Sequence, residues 1–184
     1  MPRVVVIDAC VLYSAALRDL FLRLARSGFF SLRWSDRILD EMVLALTRTR
    51  PDIPIQRLGR LKAIMIEAFP RAMVDPALLA PLGLPDSADE HVIAVAVACS
   101  ADLLVTHNLR DFPAQTVARA TSARVVSPDE LLVQLLAEDE AALRSVVDDL
   151  AAGLRNPPIA PERLIEGLRA QVPRFAEAYG RLRL

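Results

Sequence analysis

The chain opens with a short run in which every position is apolar, residues 4–7, and this run meets an aspartate, Asp8, before apolar residues resume. A run without polar alternation fits a parallel strand buried on both faces. Residues 11–26 then take helical spacing, with Leu17, Leu20, Phe21 and Leu24 on one stripe and Gly28 as the stop signal. The stretch FFSLRW reads as a short extended piece. Ser35 caps a helix carrying Ile38, Leu39, Met42 and Leu46, and after the loop RPDIP a further helix runs over 55–69 and ends at Pro70. Residues 72–74 are expected to form a second strand. A proline-rich loop, DPALLAPLGLPD, leads to a helix over 87–99 that is apolar on every face and therefore buried. Strands are expected at 102–106 and 124–126, with the loop HNLRDFP and a short helix near Thr116 between them. Strands alternating with helices predict an α/β/α fold around a mostly parallel sheet.

The pattern changes after Ser127. The segment Ser-Pro-Asp-Glu over 127–130 is a capping box with proline at the first helical position, opening a helix that should run to about Gly153. NPPIAP breaks it from a last helical stretch interrupted at Pro173. The expected organisation is an α/β domain over 1–127 and an all-helical C-terminal extension over 128–184.

Composition narrows the function classes. With 184 residues, 53% hydrophobic, the chain has ample material for one packed core. A net charge of −1 gives no global basic field for nucleic acid. Lys62 is the only lysine; an arginine bias suits forked phosphate contacts but also follows from a skewed genome composition. Cys10 and Cys99 are read as small core residues in a reducing compartment. No signal-peptide pattern and no charge-free membrane-length stretch stands in the sequence, so a cytoplasmic protein without membrane contact is expected.

An ionised carboxylate at the end of a buried strand is costly unless something compensates it. In parallel α/β sheets the carboxyl ends of strands are where sites form, so other acids should converge on Asp8. Glu41 falls at the border of the apolar arc of its helix, where it is either an ordinary boundary glutamate or a carboxylate reaching a crevice; Asp40 points to solvent. Asp86 reads as an N-cap. Asp89 stands in the first turn of the apolar helix, favoured there by the helix dipole or brought there for a site. Asp111 and Asn108 share the loop after the strand DLLVT, as turn-forming residues or as oxygen ligands. Like charges gathered together call for a cation, and hard oxygen donors suit Mg²⁺ or Mn²⁺.

The stretches VVVIDACVL, RILDEM, ADEHVIAVAVACSADLLVTHNLRDFP and ARVVSP resemble the PIN-domain ribonucleases, close to the VapC toxins of bacterial toxin–antitoxin pairs. The resemblance covers about residues 3–128. It implies a metal-dependent endoribonuclease in which Asp8, Glu41, Asp89 and Asp111 hold Mg²⁺ or Mn²⁺. Many relatives carry aspartate where this chain has Asn108, so the fourth ligand is either Asn108 or Asp111. Thr106 would order the site through its hydroxyl, or serve as a strand-end residue bonding the backbone. The resemblance further implies an RNA substrate, a cognate antitoxin and a homodimer. Arg18 and Arg110 are read as solvated surface in preference to phosphate contacts.

The rivals fare worse. A haloacid-dehalogenase-like phosphatase needs a second aspartate where Cys10 stands. A dinucleotide fold needs a glycine-rich first turn, absent from DACVLYSA. His91 and His107 lack zinc-ligand spacing, and no base is paired with a serine or cysteine nucleophile. A catalytically weak PIN fold acting as a binding or scaffold module is the alternative to the enzyme.

Overall fold

The computed structural model describes residues 2–154 and 159–181. Four strands, β1 (Arg3–Ile7), β2 (Phe30–Arg33), β3 (Leu103–Val105) and β4 (Arg124–Val126), form one parallel sheet in the order β2-β1-β3-β4. The chain leaves β1 toward one side of the sheet to make β2 and toward the other to make β3. The order therefore reverses at β1, the position where a crevice opens at the strands' carboxyl ends. Ile7 is level with Val105, and the Asp8 amide continues the ladder by donating to the Val105 carbonyl at 3.0 Å. This register brings the residue after β1, Asp8, beside the residue after β3, Thr106.

Helices α1 (Ala9–Leu12) and α2 (Ala15–Arg26) precede β2. The sequence pattern predicts one helix over 11–26, and the structure divides it at Tyr13 and Ser14. The Arg18 guanidinium donates to the carbonyls of Leu12 (2.6 Å) and Tyr13 (3.5 Å), satisfying the orphan acceptors at the break. Arg18 is thus half-buried and committed to the backbone, not solvated surface. Gly28 turns the chain at φ +84°, a left-handed conformation that glycine adopts without strain.

Helix α3 (Asp36–Thr49) starts at Ser35, whose hydroxyl accepts from the Ile38 amide, and α4 (Ile55–Ala68) packs against it. The extended piece at FFSLRW is strand β2. The strand expected at 72–74 does not form: Pro70–Ala72 is a 3₁₀ turn, and Met73 makes a lone bridge to Trp34. Pro76 follows within two residues and has no N–H with which to extend a ladder. The apolar helix begins as a 3₁₀ turn, Ser87–Asp89, and continues as α5 (Glu90–Ala98), buried through His91–Ala96. After β3 come the 3₁₀ turn Leu109–Asp111 and α6 (Ala114–Ala120).

The C-terminal part consists of α7 (Pro128–Glu138), α8 (Glu140–Gly153), α9 (Pro161–Gly167) and α10 (Pro173–Arg181). The single helix expected from 128 to about 153 is two, because Asp139 leaves helical geometry and caps α8, accepting from the Ala142 amide at 2.9 Å. The first half of the expected break NPPIAP, residues 156–158, lies outside the described residues. Helix α8 packs on α2, and buried residues from Val5 to Tyr179 belong to one continuous hydrophobic cluster. Among the described residues, no helix is long and apolar enough to cross a membrane.

Candidate active site

Asp8 is only 7% exposed, yet its side chain caps nothing on the helix it leads. It accepts instead from the Thr106 hydroxyl at 2.7 Å and from the Cys10 thiol at 3.1 Å. Thr106 is fully buried, and its oxygen also accepts from the Asn108 amide at 3.0 Å. The one hydroxyl thus donates to the Asp8 carboxylate and accepts from the backbone of the following loop.

Glu41 reaches the same crevice from α3. Its carboxylate accepts from His91 Nε2 at 2.9–3.0 Å and from Arg37 Nε at 3.1 Å. Arg37 also donates to the Ala88 carbonyl at 3.0 Å, tying α3 to the turn that carries Asp89. Asp40, one residue away, lies on the outer face, where Lys62 bridges it (2.6 Å) and Asp36 (2.8 Å). The sequence reasoning missed His91 as a partner because it looked for a second histidine at ligand spacing. The available signal was a polar residue on a helix otherwise buried on every face. Burial holds the His91 imidazole below its ordinary pKa. A carboxylate only accepts hydrogen bonds, so neutral His91 carries its proton on Nε2. Nδ1 is buried with no hydrogen-bond partner.

The cap reading fits Asp86, which accepts from the Ala88 amide at 2.8 Å. It does not fit Asp89, whose side chain makes no capping bond. The Asp89 carboxyl is pushed up to about 6, first by desolvation and then by the charges of Asp8, Asp86, Asp111 and Glu41. Asp89 thus feels the charge of four other acids.

Asp8, Glu41, Asp89 and Asn108 line one open cavity of about 560 Å³, together with Cys10. Asp111 is half-buried in the adjoining 3₁₀ turn and does not line the cavity; it acts on the site through its charge at Asp89. Cys10 corrects an expectation: it is a part-buried member of the site, not a core residue. Its sulfur also receives the His107 amide at 3.3 Å. Burial and the charge of Asp8 push the thiol up to about 12, so it stays protonated and donates. Among the described residues, no three His, Cys, Asp or Glu side chains stand close enough to enclose an ion as placed. The donors themselves are carboxylate and carboxamide oxygens facing a shared opening, the chemistry that a hard divalent cation takes.

A model described as PIN domain matches residues 4–110, which span every residue that lines this cavity; Asp111 falls just outside the match. The chain belongs to the PIN-domain family. A second model, described as VapC50 C-terminal domain, matches residues 128–181. Among curated proteins, "Putative ribonuclease VapC50" of Mycobacterium tuberculosis (strain ATCC 25618 / H37Rv) is 34% identical over 94 residues, covering 51% of this chain and 55% of that protein. The match thus spans about half the length of each. No solved structure matches the chain.

Proposed function

We propose that this PIN-domain protein is a divalent-metal-dependent endoribonuclease and the toxin of a toxin–antitoxin pair. The observation that carries the reading is the meeting of Asp8, Glu41 and Asp89, from three separate segments, around one open cavity at the carboxyl end of the sheet. The curated relative is named as a ribonuclease, and the C-terminal match carries the VapC name. Both support the reading.

Asp8, Glu41 and Asp89, with Asn108 or Asp111 as the fourth donor, would hold Mg²⁺ or Mn²⁺. A bound cation supplies positive charge to the phosphodiester oxygens and to the attacking water. The protein's own residues do the rest. Thr106 and Cys10 fix the Asp8 carboxylate by donating to one oxygen, Oδ2, and leave the other free. His91 and Arg37 orient Glu41. Asp89 accepts a proton readily near pH 6, so its charge depends on what shares the cavity. Hydrolysis makes a bond from phosphorus to the water oxygen and breaks the bond to one ribose oxygen.

The test is cleavage of single-stranded and structured RNA by the purified full chain with Mn²⁺, Mg²⁺ or EDTA, beside Asp8→Asn. Metal-dependent cleavage lost in the variant is expected. Cleavage that survives Asp8→Asn would remove Asp8 from the site. Mn²⁺ should raise the melting temperature of the wild type and leave that of Asp8→Asn unmoved; absence of both cleavage and shift would favour a binding or scaffold module. Expression without an antitoxin should arrest growth, with relief by Glu41→Gln. Association with a cognate antitoxin and homodimer formation in the cytoplasm complete the proposal, and co-purification and sizing of the full chain test them.

A further inference from the structure

The cavity extends beyond its acids. Its lining also includes Tyr13, Ala45 and Arg48. Ala45 and Arg48 follow Glu41 at four and seven residues along α3, so all three share one helix face. Seven residues advance about 10 Å along a helix axis. The small Ala45 stands between Glu41 and Arg48 on that face.

Arg48 is exposed, and among the described residues it has no ion pair or hydrogen bond. The neighbouring arginines are committed elsewhere: Arg37 to Glu41 and Ala88, Arg18 to the Leu12 and Tyr13 carbonyls, Arg50 to Asp52. Among the described residues Arg48 is the one cation that lines the acidic cavity, and it is uncommitted; Arg110, also without a partner, stands in the adjoining turn and does not line it. Tyr13 stands at the break between α1 and α2, and its hydroxyl donates to Thr49 Oγ1 at 2.9 Å. Thr49 in turn donates to the Ala45 carbonyl at 2.8 Å. The ring is thus tethered to the turn of α3 that carries Arg48.

A polyanion approaching several carboxylates is repelled, and a net charge of −1 supplies no compensating field. Its affinity must come from local contacts. A free guanidinium suits a phosphate, and a tethered aromatic ring suits a base face. A base within a duplex has both faces covered, so this pair selects unpaired nucleotides. We infer that Arg48 and Tyr13 form a nucleotide shelf at the end of the acidic cavity, Arg48 taking a phosphate and Tyr13 stacking an unpaired base of single-stranded RNA beside the reacting phosphodiester. The inference rests on the nuclease reading for its substrate class. Helix-dipole pairing for Arg48 and plain packing for Tyr13 would explain each residue singly, but would leave both without effect on RNA.

The experiment measures Mn²⁺-dependent cleavage of a single-stranded oligoribonucleotide and of its duplex by the full chain, with Arg48→Met, Arg48→Lys, Tyr13→Ala and Tyr13→Phe. Fluorescence anisotropy on an Asp8→Asn background reports binding without cleavage. Arg48→Met and Tyr13→Ala should each raise KM about tenfold with kcat within about twofold. Arg48→Met should flatten the salt dependence of binding by about 0.7 in log–log slope, one phosphate contact on a single strand. Arg48→Lys and Tyr13→Phe should each fall between wild type and the larger substitution, Phe keeping the ring and losing its tether to Thr49, and the duplex should be the poorer substrate. A wild type that cleaves while Arg48→Met keeps its KM and salt slope overturns the shelf alone. A wild type that binds but does not cleave, with binding lost in Arg48→Met, keeps the shelf and removes the nuclease reading. Neither cleavage nor Arg48-dependent binding overturns both. Melting temperatures verify that the exposed substitutions leave the fold intact.

Discussion

Two aspartates are buried to the same degree in two parts of this molecule, and they are treated in opposite ways. Asp129, 8% exposed at the start of α7, accepts from the backbone amides of Phe175 (2.8 Å) and Arg174 (3.3 Å). These are first-turn donors of α10 with no partner within their own helix, so a carboxylate placed there gains two charge-assisted bonds and the favourable end of the helix dipole. Asp8, 7% exposed, receives one hydroxyl and one weak thiol donor, and it faces Glu41 and Asp89 across a cavity. One carboxylate is a finished structural joint between α7 and α10. The other is held in position with part of its acceptor capacity and its charge left over. Burial alone distinguishes neither; the identity of the donors does.

That contrast breaks first at activity. Asp8→Asn should lower metal-dependent RNA cleavage by at least about a hundredfold, the scale on which removing one group aimed at reacting charge acts. In EDTA its melting temperature should not fall, because the amide oxygen still accepts from Thr106 and one of several like charges is gone. A marked destabilisation would make Asp8 a structural residue like Asp129. Asp129→Ala should do the reverse. One buried and one part-buried amide lose their acceptor, costing about 3 kcal/mol in urea unfolding, while cleavage per folded molecule stays unchanged. Unaltered stability there would mean that α10 is held by packing alone.

Thr106→Val should cost about 1–2 kcal/mol, because the Asn108 amide and the Asp8 carboxylate both lose a partner. It should also weaken Mn²⁺ binding, read as a smaller metal-induced rise in melting temperature. The smallest effect concerns pH. The folded value of Asp89, about 6, lies above its ordinary 3.8. The native state then holds the extra proton between those values, and stability falls as pH rises through that window. In EDTA, Asp89→Asn should therefore gain stability over wild type from about pH 4 to about pH 6 and hold the gain above. A difference that stays flat with pH would show that Asp89 is not crowded by its neighbours.

Much of this was legible in the residues. The all-apolar run before Asp8, the stripe of α3 with Ser35 as its cap, and the N-cap at Ser127 each rest on local rules of period and hydrogen bonding, and the structure follows them; of the capping box only the Ser127 half forms, while the Glu130 carboxylate turns to Arg124. The failures share a cause. Residues 72–74 have strand-like character, but whether they join a ladder depended on a neighbour and on Pro76. The division at Tyr13 and Ser14 is accompanied by bonds from Arg18 to the carbonyls it frees, contacts no period announces. In the site, acids at element ends were visible one by one. His91 as the partner of Glu41, and Cys10 as a donor to Asp8, were not: the first contact spans 50 positions, and the second straddles the end of β1 and the start of α1, where neither period holds.

The sequence by itself determined the class of the fold, the alternation of strands and helices, the change of character after Ser127, and a set of acids able to converge on the end of the first strand. Those follow from burial patterns and caps, which act over a few residues. Only the tertiary structure decided which acids share a cavity, that Asn108 lines it while Asp111 flanks it, and that Asp129 is spent on α10 while Asp8 is left open. These outcomes depend on sheet order and register. With β1 beside β3 and Ile7 level with Val105, Asp8 meets Thr106 across 98 positions of sequence, a proximity set by strand pairing and not by any local preference.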